Sequence, residues 1–296
     1  MSSEALHIPG PAKYFFMRAL RPFSLSVAVV TCGLGIALAY GAGEGDFFRA
    51  ALVLIAGILL QGAVNLFNDY ADIALWSGRD DLYASNIIEM IKRNTKIAAA
   101  MSVVAGLMGV MLAFHAGWKL FLIGLLGLLG GYFYTASPVA YKNRGFGVVG
   151  VFLFTGVLMV AGSYLAVTGN LGGNIFLYSV PVSLISSMLL LANELRDVEE
   201  DISNGIGTFT VRIGYGASSV VYQLLGVAAL VSALLIGFSG ALSFPFLMIL
   251  PVLALKKPVY LLKGVRKQSE RKRLVELPPL TGRYFLIFGI CFMAAI

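Results

Sequence analysis

Cysteine, histidine and charge are all scarce in this chain. Its 296 residues hold two cysteines and two histidines, and only 12% are charged. Cys32 and Cys291 each lie inside an apolar run, so they read as small hydrophobes and exclude a disulfide framework. His7 and His115 stand far from each other and from the acidic clusters, which argues against zinc. So little charge excludes a soluble domain of this length. The polar opening, Met1 to Lys13, has no short apolar run with a small-residue cleavage site, so no removable signal peptide is expected.

What fills the chain instead is apolar. Hydrophobic residues make up 58%, and the mean hydropathy is +0.86. Nine apolar runs have spanning or near-spanning length: 22–40, 50–67, 97–114, 120–136, 146–167, 175–192, 215–237, 241–255 and 284–296. The eighth carries Pro245 and Pro251 and is expected to kink. The ninth has only 13 residues, a partial span or an early stop. These runs predict an all-α, polytopic membrane helix bundle. About nine transmembrane helices form one domain over 1–296, around a central cavity open to the cytoplasmic side.

Charge sets the expected orientation. With the N-terminus inside, 20 of the 22 Lys and Arg residues fall on inner segments, and only Arg49 and Lys119 lie outside. That is the positive-inside pattern. It accounts for the net charge of +7 without a nucleic-acid partner. The basic cluster between Lys263 and Arg273 reads as a topology signal in contact with anionic membrane lipid.

Nine of the 15 acids gather in two windows, each at the inner end of a span. The first holds Asp69, Asp72, Asp80 and Asp81. The second holds Glu194, Asp197, Glu199, Glu200 and Asp201. Carboxylates beside hydrocarbon mark function. The windows share a pattern, Asn68-Asp-x-x-Asp72 and Asn193-Glu-x-x-Asp197. Helical spacing aligns Asn68 with Asp72, and Asn193 with Asp197 and Asp201. Sets of oxygen ligands suit a hard cation such as Mg²⁺, which takes one or two carboxylates and shares substrate phosphates. Arg21, Lys92, Arg93, Lys142, Arg144 and Arg196 crowd the same face, as a site for a diphosphate would require. Arg79-Asp-Asp81 and the segment 86–96 read as a loop and a short amphipathic helix, a candidate lid. An ion-coupled transporter is the rival reading, but its ligands would sit near the membrane centre rather than at span ends.

The two motifs resemble those of the UbiA superfamily of intramembrane prenyltransferases. Asn68-Asp-Tyr-Ala-Asp72 and Asn193-x-x-Arg-Asp197-x-x-x-Asp201, followed by Gly205-Ile-x-Thr208, carry the resemblance, which covers almost the whole chain. Within it, Asn-Asp-Tyr-x-Asp, Tyr134-Thr-Ala-Ser-Pro138-x-x-Tyr141-Lys142 and Gly156 with Met159-x-x-Gly162-Ser163-Tyr164 look like the branch that prenylates 1,4-dihydroxy-2-naphthoate on the way to menaquinone. The resemblance implies Mg²⁺ as cofactor, a polyprenyl diphosphate donor and a small aromatic acceptor. It implies metal ligation by Asn68, Asp72, Asp80 or Asp81, Asn193, Asp197 and Asp201, with Asp72, Asp197 and Asp201 catalytic. It further implies diphosphate binding by Arg21, Lys92, Arg93, Lys142 and Arg196, and acceptor binding by Tyr132, Tyr134 and Tyr141. The implied location is the cell (inner) membrane, with the active site cytoplasmic. The chain departs from the pattern in an apparent two-residue insertion, Trp76 and Ser77, and in Val148, where an acidic residue is common. Oligomeric state and prenyl length are not encoded in these motifs.

Overall fold

The computed structural model describes residues 10–79, 81–172, 174–265 and 267–296. Asp80 and His7 fall outside them. Among the described residues every regular element is helical, and nine helices are long and apolar enough to cross a membrane. They are α1 (Phe16–Gly41), α2 (Phe47–Trp76), α3 (Leu82–Ala116), α4 (Trp118–Thr135), α5 (Gly147–Thr168), α6 (Ile175–Ser203), α7 (Tyr215–Gly240), α8 (Pro245–Gly264) and α9 (Gln268–Ala295). Each follows the last after a short connection, so successive helices reverse direction. Both acidic windows therefore emerge at one face, which is also the basic one. At the opposite face the amide of Phe244 reaches the carbonyl of Ala295 at 3.2 Å, and Arg49 meets His115.

α1, α5, α6 and α9 form the buried centre, with α2–α3 and α7–α8 packed around it. Small and hydroxyl residues let these backbones approach closely. A buried hydroxyl costs least when it has an internal partner. On α6, Ser183 donates to the carbonyl of Ser179 at 2.8 Å and Ser187 to that of Val148 on α5 at 2.9 Å.

The span count matches the sequence expectation, while several span boundaries move. The separate amphipathic helix expected over 86–96 is one helix with the third span, α3, of 35 residues. Nothing between Leu82 and Thr95 breaks a helix, and the Asp81 side chain caps its start by accepting the Ala84 amide at 2.6 Å. At about 1.5 Å per residue such a helix outruns a hydrocarbon core of about 30 Å, so its first turns stand clear of the apolar layer. The short ninth run extends back through a 3-10 turn, Gln268–Glu276, into Leu277–Ala295. Prolines 278 and 279 open that helix, where a missing N–H costs nothing. In the eighth span Pro245 opens a 3-10 turn and Pro251 falls in the first turn of Ile249–Gly264, where a missing N–H is tolerated. In the basic cluster, Arg271 pairs with Glu199 of α6 and covers the Tyr215 ring at 4.2 Å.

Candidate active site

The first motif does not follow one helical face. α2 tightens to a 3-10 turn over Asp69–Asp72 before resuming at Ile73–Trp76. In a 3-10 turn residues three apart eclipse, so positions four apart no longer align. Asn68 is left exposed, while Asn65 and Asp69 turn inward and are buried. Asn65 donates to the Leu20 carbonyl and to Ser24, both at 2.7 Å. Asp69 is bonded through one oxygen to Arg21 at 2.8 Å, and its other oxygen is buried without a partner. Asp72 faces the N-terminal segment. Its Oδ2 accepts from Lys13 at 2.7 Å and from the Tyr14 hydroxyl at 2.9 Å. Asp81 is exposed, caps α3 and pairs with Arg79 at 3.0 Å. The Ala84 amide, then Arg79, hold its carboxyl below the usual carboxylate range.

The second motif sits on uninterrupted helix, so Asn193, Asp197 and Asp201 do share a stripe of α6. Asn193 turns its amide back to the Leu189 carbonyl at 3.0 Å, leaving its own oxygen for other donors or cations. Asp197 is gripped by its neighbour Arg196 through two contacts of 2.6 Å. Asp201 is buried and accepts from Thr208 at 3.1 Å. Glu194, which the motif reading passed over, is also buried. Its Oε2 takes the Thr210 amide at 2.9 Å, and its Oε1 has no partner. Both Glu194 and Asp201 lie in the field of Lys142.

Two tyrosines complete this end. Tyr134 and Tyr141 meet edge to face at 5.3 Å, and Lys142 stands 5.9 Å from the Tyr134 ring. Tyr141 packs into the notch at Gly150 and donates to the Gly130 carbonyl at 2.8 Å. Burial pushes its phenol up to about 12. The Tyr134 hydroxyl lies in the field of Glu194 and Asp201, and also of Arg21, the cation bonded to Asp69. Tyr134 thus stands near both motifs, although no hydrogen bond or ion pair joins Asp69 or Asp72 directly to Asn193, Glu194, Asp197 or Asp201. The other candidates stand apart. Tyr132 is exposed beside Phe133, and Lys92 and Arg93 are exposed on α3.

Sequence reasoning left out Lys13, Tyr14, Asp69 and Glu194. Asp69 and Glu194 lie inside the motifs and were recoverable from position. Lys13 and Tyr14 carry no spacing signal, because they come from the far side of α1.

The donor set is oxygen throughout. Among the described residues no three His, Cys, Asp or Glu side chains cluster tightly enough to enclose a metal ion alone. Mg²⁺ does not require that, since it commonly keeps one or two carboxylates and completes its shell with waters and phosphate oxygens. The unpartnered Asp69 and Glu194 oxygens, each buried, leave local negative charge for a cation to offset. The residues therefore fit an ion that is shared with an anionic substrate.

Comparison with known proteins agrees with this geometry. Residues 28–286 match the model of the UbiA prenyltransferase family. A Bacillus subtilis protein named 1,4-dihydroxy-2-naphthoate octaprenyltransferase is 27% identical, over 91% of this chain and 88% of its own length. An Escherichia coli protein of the same name is 32% identical, over 67% and 68%. A solved UbiA homolog from Archaeoglobus fulgidus, bound to GPP and Mg²⁺, shares the fold with a TM-score of 0.59 at 15% identity, over 92% of this chain and 99% of that one.

Proposed function

The chain belongs to the UbiA prenyltransferase family and is an integral-membrane prenyltransferase, and on that premise we propose that it moves a polyprenyl group from a polyprenyl diphosphate to 1,4-dihydroxy-2-naphthoate in menaquinone biosynthesis. The reaction depends on Mg²⁺ and occurs at the cytoplasmic face of the cell (inner) membrane. The supporting observation is the gathering of two acidic motifs, Tyr134, Tyr141 and the cations Arg21 and Lys142 at one end of the bundle. The names of the relatives support the acceptor. Family membership sets the transporter reading aside.

In this reading Asn68, Asp72, Asn193, Asp197 and Asp201 would hold the metal, with Asp80 or Asp81 as a further ligand. Mg²⁺ there would supply positive charge against the diphosphate as it departs. Arg21, Lys142 and Arg196 would add preorganised charge for its oxygens, and Lys92 and Arg93, exposed on α3, would reach it only from outside. The allylic C–O bond breaks and its electron pair leaves with diphosphate. The ring carbon bearing the acceptor's carboxyl group supplies the pair for the new C–C bond. Loss of CO₂ then returns its bonding pair to the ring. The faces of Tyr134 and Tyr141 favour cationic character on the allylic fragment. The helical walls keep water from that fragment.

A second reading keeps the reaction and changes the acceptor. It is favoured by Val148, a buried aliphatic residue where an acidic one is common in the naphthoate branch. Membranes containing the protein should convert labelled polyprenyl diphosphate only with Mg²⁺ and dihydroxynaphthoate. Label appearing solely with another acceptor from a panel would replace the first reading by the second. D72N and D197N should each lower turnover on the order of a hundredfold or more. Activity retained within a few fold would remove the metal assignment.

A further inference from the structure

Asp72 is held by residues that none of the site assignments includes. Both groups that bond it, Lys13 and Tyr14, use the same oxygen, Oδ2. Among the described residues Oδ1 has no hydrogen bond. The Tyr14 hydroxyl is itself oriented. The Trp76 indole N–H, which can only donate, bonds the Tyr14 oxygen at 3.1 Å. The one phenolic proton is thereby directed to Asp72.

The surroundings immobilise this chain of bonds. Tyr14 is fully buried and Trp76 nearly so, with their rings edge to face at 6.2 Å and 82°. Asn94 of α3 donates to the Tyr14 carbonyl at 2.9 Å. Ala84, Ile87 and Ile91 close the cluster. Three separate stretches of chain thus converge on the angle of one carboxylate. Trp76 is also one of the two residues that look inserted relative to the family pattern.

We propose that Tyr14, braced by Trp76, is a positioning residue: it clamps Asp72 Oδ2 and so presents Oδ1 to the metal–diphosphate. The proposal rests on the reading of Asp72 as a metal ligand. A plain packing role for Tyr14 would affect stability alone. The clamp predicts a specific effect on ligand geometry, propagated through Asp72.

The test uses the full chain purified in detergent. Mn²⁺ binding in the presence of inorganic pyrophosphate is followed by electron paramagnetic resonance, with the melting temperature recorded alongside. Y14F should weaken Mn²⁺ binding about tenfold, the scale of one hydrogen bond to a charged group. W76F should weaken it less. In membranes Y14F should raise KM for the polyprenyl diphosphate and leave KM for the acceptor unchanged. D72N should weaken Mn²⁺ binding, and Y14F added to D72N should weaken it no further. Equal losses from Y14F with and without D72N would overturn the clamp, as would a lower melting temperature with unchanged Mn²⁺ affinity. Unchanged Mn²⁺ binding in D72N itself would overturn the ligand reading, and the clamp with it. The D72N result therefore separates the two failures.

Discussion

Asp81 and Asp72 lie nine residues apart in one acidic window, yet their surroundings offer them different work. Asp81 spends Oδ1 on the Ala84 amide and Oδ2 on Arg79. Its depressed pKa follows mainly from that amide, so the capping interaction is present above the unfolded carboxylate value. It is lost as pH falls through the lower folded value, that is, below about 4. A serine can cap a helix but is a poor ligand for Mg²⁺. D81S should therefore keep turnover within a few fold of the parent, while D81A lowers thermal stability. A loss in D81S as deep as that of D72N would show that Asp81 is a ligand, despite its cap. At this scale the sequence carried one of the two acidic arrangements. Asn193, Asp197 and Asp201 read correctly as one stripe because α6 is regular there. Asn68 and Asp72 did not, because a 3-10 turn over four residues leaves no mark in residue type. Lys13 and Tyr14 were invisible because their partners are about 60 positions away.

Helices can be found from hydropathy, but their ends and contacts obey other forces. The apolar run 97–114 stops at Lys96 because a hydropathy window stops at charge. The backbone ladder of α3 continues back to Leu82 because nothing there interrupts it. Packing is better recorded in the smallest residues. Gly35 of α1 lies so close to α5 that a Cβ would sit 2.6 Å from the Val160 carbonyl oxygen and 2.8 Å from the Tyr164 amide nitrogen. Both are backbone atoms and cannot swing away as a side chain could. G35A should force α1 and α5 apart at a cost of about 1–3 kcal/mol. It should lower the melting temperature in detergent by several degrees. Gly41, at the end of the same helix, meets nothing within 4 Å, so G41A is the matched control. Equal melting of both variants would show that α1 and α5 do not depend on this contact.

Across the whole molecule one asymmetry organises the rest. Helix reversal delivers both acidic windows to one end, and the same end holds almost all Lys and Arg. The membrane inserts basic loops poorly, so charge that serves topology accumulates on the side where an anionic leaving group must be held. The two roles coincide here. Arg21 and Lys142 belong to this basic end and also bear on Asp69, Asp201 and Glu194. Orientation is thus a functional prediction. A cysteine placed at Lys119, in the first turn of α4, should react with a membrane-impermeant maleimide on intact cells. One placed at Lys263, at the end of α8, should react only after the cells are opened. Cys32 and Cys291 are buried and should stay silent in both. The reverse pattern would turn the site outward, away from cytosolic Mg²⁺ and soluble acceptor. The charge asymmetry would then owe more to the diphosphate than to insertion.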